Sequence, residues 1–220
     1  MRKTEFANGE YYHIYNRGVD KREVFLCEED YSRFLETIQF VNTQKTYSGL
    51  SDYKRKGADR PPRSAAAADL GGLDQELVDV ICYCLNSNHY HLILKQKVQN
   101  GISLFMGKLG NSYTKYFNTK YDRSGSLFQG KFKSTHIDSN ELLLYLSVYV
   151  NANHQIHGYP EKDWLYSSLL DYTGKRDRKL CDKEIILGQF DNNFSEYEKY
   201  LNDNTMYFKE KKEMEKYILE

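Results

Sequence analysis

The chain has 220 residues, and 31 Lys plus Arg balance 31 Asp plus Glu, so its formal net charge is zero. A 40% hydrophobic fraction beside 28% charged residues can fill a core and excludes a chain disordered throughout. With no overall basic excess, any nucleic-acid contact must come from a local patch.

Glu10 to Asn16 is aromatic and β-branched and stops at Arg17-Gly18; it predicts a strand. Glu28 to about Val41 carries Tyr31, Phe34, Leu35, Ile38 and Val41 at helical spacing. Residues 45–74 hold Pro61, Pro62 and the Ala65–Ala68 run, which predicts a flexible insertion between core elements. Leu77 to Leu85 and His89 to Leu94 predict two strands joined at Asn86-Ser87-Asn88. A long amphipathic helix follows, marked by Ile102, Phe105, Met106, Leu109, Tyr113 and Phe117. Ser126 to Ile137 alternates like a strand, and Asn140 to about His154 is a further helix, stopped by Gly158 and Pro160. The tail carries Trp164 and helical segments rich in Lys and Glu. A β-α-β-β-α-β order implies an α+β fold: a ferredoxin-like antiparallel sheet with helices on one face, plus a helical C-terminal extension.

No apolar run reaches the roughly 18 residues of a membrane span, and the opening residues lack the apolar stretch of a secretion signal. Four scattered cysteines, at 27, 82, 84 and 181, suit free thiols better than a disulfide framework. The expectation is a cytoplasmic protein without a membrane partner. There are 20 tyrosines and one tryptophan; an aromatic face with a hydroxyl suits stacking on bases, though drift in composition explains a count equally well.

The densest chemical signal is Asn88-His89-Tyr90-His91-Leu92. Alternate strand residues share a face, so His89 and His91 point one way and Tyr90 the other. Two imidazoles are half of a divalent metal site, although a bare His-x-His more often means two ordinary hydrogen-bonded histidines. Cys82 and Cys84 could complete a Cys₂His₂ zinc site. Register decides this: a three-residue turn pairing Leu85 with His89 turns the cysteines away, and a slip of one residue brings them together. The first register is expected, because the thiols then fill a core face. On the last predicted helix, Tyr149 and Asn153 stand four residues apart and project together; taken alone, Tyr149 reads as core.

Together these segments resemble a known family. Tyr12-His13-Ile14-Tyr15-Asn16-Arg17-Gly18, the His89–His91 strand, Gly125 to Lys133 and Tyr149-x-x-x-Asn153 resemble the bacterial HUH-type single-tyrosine transposases, in the IS200-like group that includes the REP-associated tyrosine transposases. The resemblance runs from about residue 9 to 173. It implies a transposase domain over 1–173, interrupted by the 45–74 insertion, and a charged helical extension over 174–220. It also implies metal ligands His89, His91 and Asn153 and a nucleophile, Tyr149. The cofactor would be Mg²⁺ or Mn²⁺. The family's usual Asn-Pro pair is Asn153-His154 here, which leaves His154 and His157 as competitors for the third ligand position.

The activity so implied is cleavage and rejoining of single-stranded DNA, with hairpin DNA as partner and a monomer or homodimer as the acting form. Arg17, Gln129, Lys131 and Lys133 are the expected DNA contacts, the last three sharing one strand face by parity. They are weighted above the helix cations Lys108, Lys115 and Lys120. Two other readings stand beside this one: a DNA-binding module of the same fold without catalysis, and a zinc-stabilised fold. A replication initiator or relaxase shares the paired-histidine chemistry but ranks lower in so short a chain.

Overall fold

A computed structural model describes residues 5–44, 75–159 and 163–218. The expected insertion at 45–74 lies outside the described residues.

Four strands form one antiparallel sheet: β1 (Tyr11–Arg17), β2 (Val78–Asn86), β3 (His89–Gln96) and β4 (Lys133–Ile137), in the order β2-β3-β1-β4. Helices α1 (Glu28–Val41) and α2 (Gly101–Lys120) are the crossovers of a ferredoxin-like β-α-β-β-α-β unit. The alternation of each strand divides the core in two. Tyr12, Ile14, Tyr90, Leu92 and Leu94 pack with Phe34, Ile38, Phe105 and Tyr113 from α1 and α2. Ile93, Cys82 and Cys84 face the opposite way, into a second cluster with Leu143, Val148 and Val150.

That second layer corrects the expectation of helices on one face only. It is built from α3 (Asn140–Asn151), α4 (Asn153–Ile156), α5 (Leu169–Tyr172), α6 (Glu184–Leu187) and α7 (Phe194–Ile218). Ser139 caps α3, its hydroxyl accepting from Leu142 N at 3.2 Å. Tyr172, Tyr197, Leu201 and Phe208 fill the layer from the C-terminal side. The same segment covers the open edge of β2. Tyr166 O accepts from Leu85 N at 3.0 Å, Ser168 N donates to Tyr83 O at 2.9 Å and Asp182 N to Val80 O at 2.8 Å. An uncovered strand edge would invite pairing with another chain.

Three local expectations change. The β2–β3 turn is Ser87-Asn88 alone, since Asn86 pairs with His89 and Cys84 with His91. The register is therefore the slipped one, and the cysteines share the histidine face. The residues at 126–132 are not a regular strand; Gly125 (φ +83°) and Gly130 (φ +67°) take left-handed turns that end the alternation. The last predicted helix breaks at Ala152 into α3 and α4.

Candidate active site

The face of the sheet toward α3 opens at one end into a cavity of about 370 Å³. Its lining includes His89 and His91 from β3, Tyr15 and Arg17 from β1, Tyr149 from α3 and His157 just after α4. Gln129 and Lys133 reach it from the segment leading into β4. Of the expected DNA contacts, Arg17, Gln129 and Lys133 therefore stand around the expected nucleophile, and Arg17 Nε donates to Gln129 Oε1 at 2.5 Å. Lys131 is separated from them by the turn at Gly130. It lines a larger groove of about 810 Å³ on the α2 side, with Asn111, Thr114 and Lys115. The parity argument that grouped it with Gln129 and Lys133 needed a continuous strand, which is absent there. Two helix cations have structural tasks instead: Lys108 Nζ donates to Thr43 O at 2.7 Å and Lys120 Nζ to Asp30 Oδ1 at 2.9 Å.

The two histidines are held by different neighbours. Asn88 Oδ1 lies 2.6 Å from His89 Nδ1. A carboxamide oxygen can only accept, so Nδ1 carries the proton and Nε2 keeps its lone pair. Asn86 Nδ2 sits 2.8 Å from that Nε2 and donates to Asn153 Oδ1 at 2.6 Å. His91 Nδ1 lies 2.9 Å from Nε2 of His13, on β1. Burial pushes the His13 imidazole down to about 4 and drives His91 well below the ordinary histidine range, with the neighbouring imidazoles His13, His89 and His157 adding to the effect on His91. Neutral imidazoles keep a lone pair for an electrophile. The ring of Tyr149 meets His91 edge-on at 5.5 Å and His13 at 6.0 Å, and Phe208 of α7 lies 5.3 Å away on its other side.

Asn153 is fully buried, with Oδ1 3.3 Å from His89 Nε2. Neighbouring donors around a six-coordinate ion with bonds near 2.1 Å are about 3 Å apart, so this spacing fits an edge of such a shell. The hydrogen bond from Asn86 Nδ2 holds this oxygen toward His89, while Asn153 Nδ2 is buried without a hydrogen-bond partner. His154, the nearest competitor in sequence, is buried with its ring 6.2 Å from Trp164. His157 stays with the cavity, 4.7 Å from the His89 ring. Two imidazoles and a carboxamide thus fit a divalent ion, although no cluster of three or more His, Cys, Asp or Glu side chains is gathered for a metal among the described residues.

The zinc reading fares worse despite the slipped register. Burial pushes the Cys82 and Cys84 thiols up to about 12, which opposes the thiolate that zinc requires. Cys84 Sγ donates to Asn86 Oδ1 at 3.8 Å. Both cysteines are core residues.

Residues 72–153 match the family model described as Transposase IS200 like. That stretch, 82 of the 220 residues, is similar to the IS200-like transposases. It contains both paired histidines, Tyr149 and, as its last residue, Asn153. No curated protein matches the chain. A solved structure of a REP-associated tyrosine transposase bound to a REP hairpin shares the fold with a TM-score of 0.52 and 12% identity, over 83% of this chain and 97% of that one. The family resemblance read from the sequence and the α+β fold both stand: part of the chain is similar to the IS200-like transposases, and the fold is shared with the REP-associated transposase. Among the described residues no helix is long and apolar enough to cross a membrane.

Sequence reasoning passed over His13 and Asn86. His13 looks like one more residue of an aromatic strand until the register sets Tyr15 opposite His91 and so brings His13 diagonally beside it. Asn86 read as turn chemistry, whereas it ends β2 and holds Asn153.

Proposed function

We propose that this protein cleaves and rejoins single-stranded DNA through a covalent 5′-phosphotyrosine link on Tyr149. The observation that carries the reading is one cavity shared by Tyr149, the imidazoles of His89 and His91 and the side chains of Arg17, Gln129 and Lys133. In this reading 1–173 is the transposase domain and 174–220 its helical extension.

The Tyr149 oxygen attacks a backbone phosphorus and forms a P–O bond. The P–O3′ bond breaks, the phenolic proton passes to solvent and the leaving oxygen takes up a proton as a free 3′-hydroxyl. A 3′-hydroxyl attacking the link reverses these changes, so the bond energy is conserved and no nucleotide cofactor is consumed. Free tyrosine has a pKa of about 10 and is a weak nucleophile at neutral pH. His89, His91 and Asn153 would hold a divalent ion, Mg²⁺ or Mn²⁺, which supplies Lewis-acid polarisation of the scissile phosphate when bound. Arg17 and Lys133 pair with the phosphates on either side, and Gln129 fixes the Arg17 fork through its side-chain oxygen. Tyr15 offers a ring on which a flanking base can stack. The hairpin held by the structural neighbour makes a DNA hairpin the substrate to try first.

The test is a denaturing gel of the protein with labelled hairpin DNA from the flanks of its own gene, with Mn²⁺ or Mg²⁺. A covalent species that needs the metal and disappears in Tyr149→Phe is the expected result. Binding by wild type with no adduct in either metal would instead favour the DNA-binding module without catalysis.

A further inference from the structure

The imidazole of His13 is not among the residues the proposed chemistry uses, yet it stands closest to one of them. His13 Nε2 lies 2.9 Å from His91 Nδ1, and both residues are 7% exposed. The ring planes are 16° apart and the centroids 5.1 Å apart, so the two rings meet edge to edge in nearly one plane, as a hydrogen bond between ring nitrogens requires. His13 is itself fixed by the ring of Tyr15, 5.1 Å away, and by the edge of Tyr149. On the companion ligand, Asn88 Oδ1 meets the same ring atom, Nδ1, of His89 at 2.6 Å.

We propose that His13 is a positioning residue for His91, accepting its Nδ1 proton and thereby fixing the tautomer whose Nε2 lone pair faces the cavity. A histidine that ligates a metal commonly donates its other N–H to a neighbouring acceptor, which sets ring orientation and basicity. Here that acceptor is a second imidazole supplied by the adjacent strand. The paired histidines are thus held through matching ring atoms, one from a turn and one from β1, which fixes the orientation of both rings. The inference rests on the reading of His89, His91 and Asn153 as metal ligands.

Two measurements test it separately from that reading. In metal-free wild type, ¹⁵N chemical shifts of the imidazoles should show His91 as the Nδ1–H tautomer; an Nε2–H tautomer overturns the proposal. Mn²⁺ affinity, read by electron paramagnetic resonance without DNA, should fall about 10- to 100-fold in His13→Leu. His13→Gln, which keeps a carbonyl acceptor, should recover most of that loss, whereas a role in packing alone would be served as well by leucine. Equal affinity in His13→Leu and wild type overturns the proposal while leaving the ligands in place. If wild type binds Mn²⁺ no better than His91→Ala, the metal reading fails and this inference fails with it. Should His13→Leu not fold, the tautomer in wild type decides.

Discussion

The two faces of the sheet use polar groups in opposite ways. Toward α1 and α2, buried polarity closes on itself: Asp30 accepts from Lys120 Nζ, Tyr116 Oη, Tyr121 Oη and Leu26 N at 2.7–3.0 Å, and Tyr113 Oη donates to Val24 O at 2.7 Å. Toward α3, the imidazoles of His89 and His91 are anchored through Nδ1 at the edge of an open cavity. One face spends its donors and acceptors on holding α1, α2 and the sheet together. The other holds each ring through Nδ1 beside a cavity, with Asn86 and Asn153 gathered at the second nitrogen of His89. A buried polar cluster is therefore no guide to function until one asks where its remaining lone pairs point.

The contrast can be broken most sharply at His91. In His91→Ala the metal-dependent adduct should fall below detection on a denaturing gel, while the metal-free protein still folds, with a thermal midpoint lowered by the lost buried ring and its contact with His13. The reverse is expected at Asp30. Asp30→Asn leaves Lys120 without its buried partner and should cost about 3 kcal/mol in urea unfolding, with adduct yield at low temperature unchanged. Burial alone would raise the Asp30 carboxyl, but its donors, Lys120 and Tyr121 foremost, hold it below the ordinary aspartate value. A folded value below the unfolded one gives stability that is complete above the unfolded value and is lost as pH falls through the folded value. Wild type should thus lose stability more steeply below about pH 4 than Asp30→Asn does, as acid titrations of the folded fraction would reveal.

Phe208 sharpens the comparison from the C-terminal side. Its ring lies 4.4 Å from Tyr145 and 5.3 Å from Tyr149, so α7 backs the helix that carries the proposed nucleophile. Phe208→Ala should destabilise by about 3 kcal/mol, the low end of the range for a buried ring, and should slow adduct formation more than it weakens DNA binding. The smallest effect is expected at Lys133. Lys133→Ala should lower DNA affinity modestly and reduce the slope of log affinity against log salt by about one.

Much of this architecture could be read from local pattern, because pattern and packing agree there. The apolar spacing from Tyr31 to Val41 gives α1 its observed limits, and the paired apolar runs give β2 and β3. The failures have separate causes, one distant in sequence and two local to the backbone. Asn86 belongs to three residues of turn chemistry, yet its amide is drawn into the sheet by Asn153, 67 positions away, and the turn shortens by one. The alternation at 126–132 misleads because two glycines with positive φ are worth more to the chain as turns than as strand. The helix pattern running to His154 conceals a break at Ala152 that lets α4 carry Asn153 beneath His89. Of the site, the His89–His91 pair and Tyr149 were legible as a motif, whereas His13 required the register.

The chain's one tryptophan gives the protein an optical probe of its own. Trp164 donates through Nε1 to Leu85 O at 2.8 Å and lies 5.7 Å from the ring of Tyr159, whose hydroxyl reaches Ser87 in the turn before His89. Any ligand that shifts that turn would change the surroundings of a single indole. Excited at the red edge of indole absorption, where the 20 tyrosines contribute little, its emission can be followed in real time without a dye or a label.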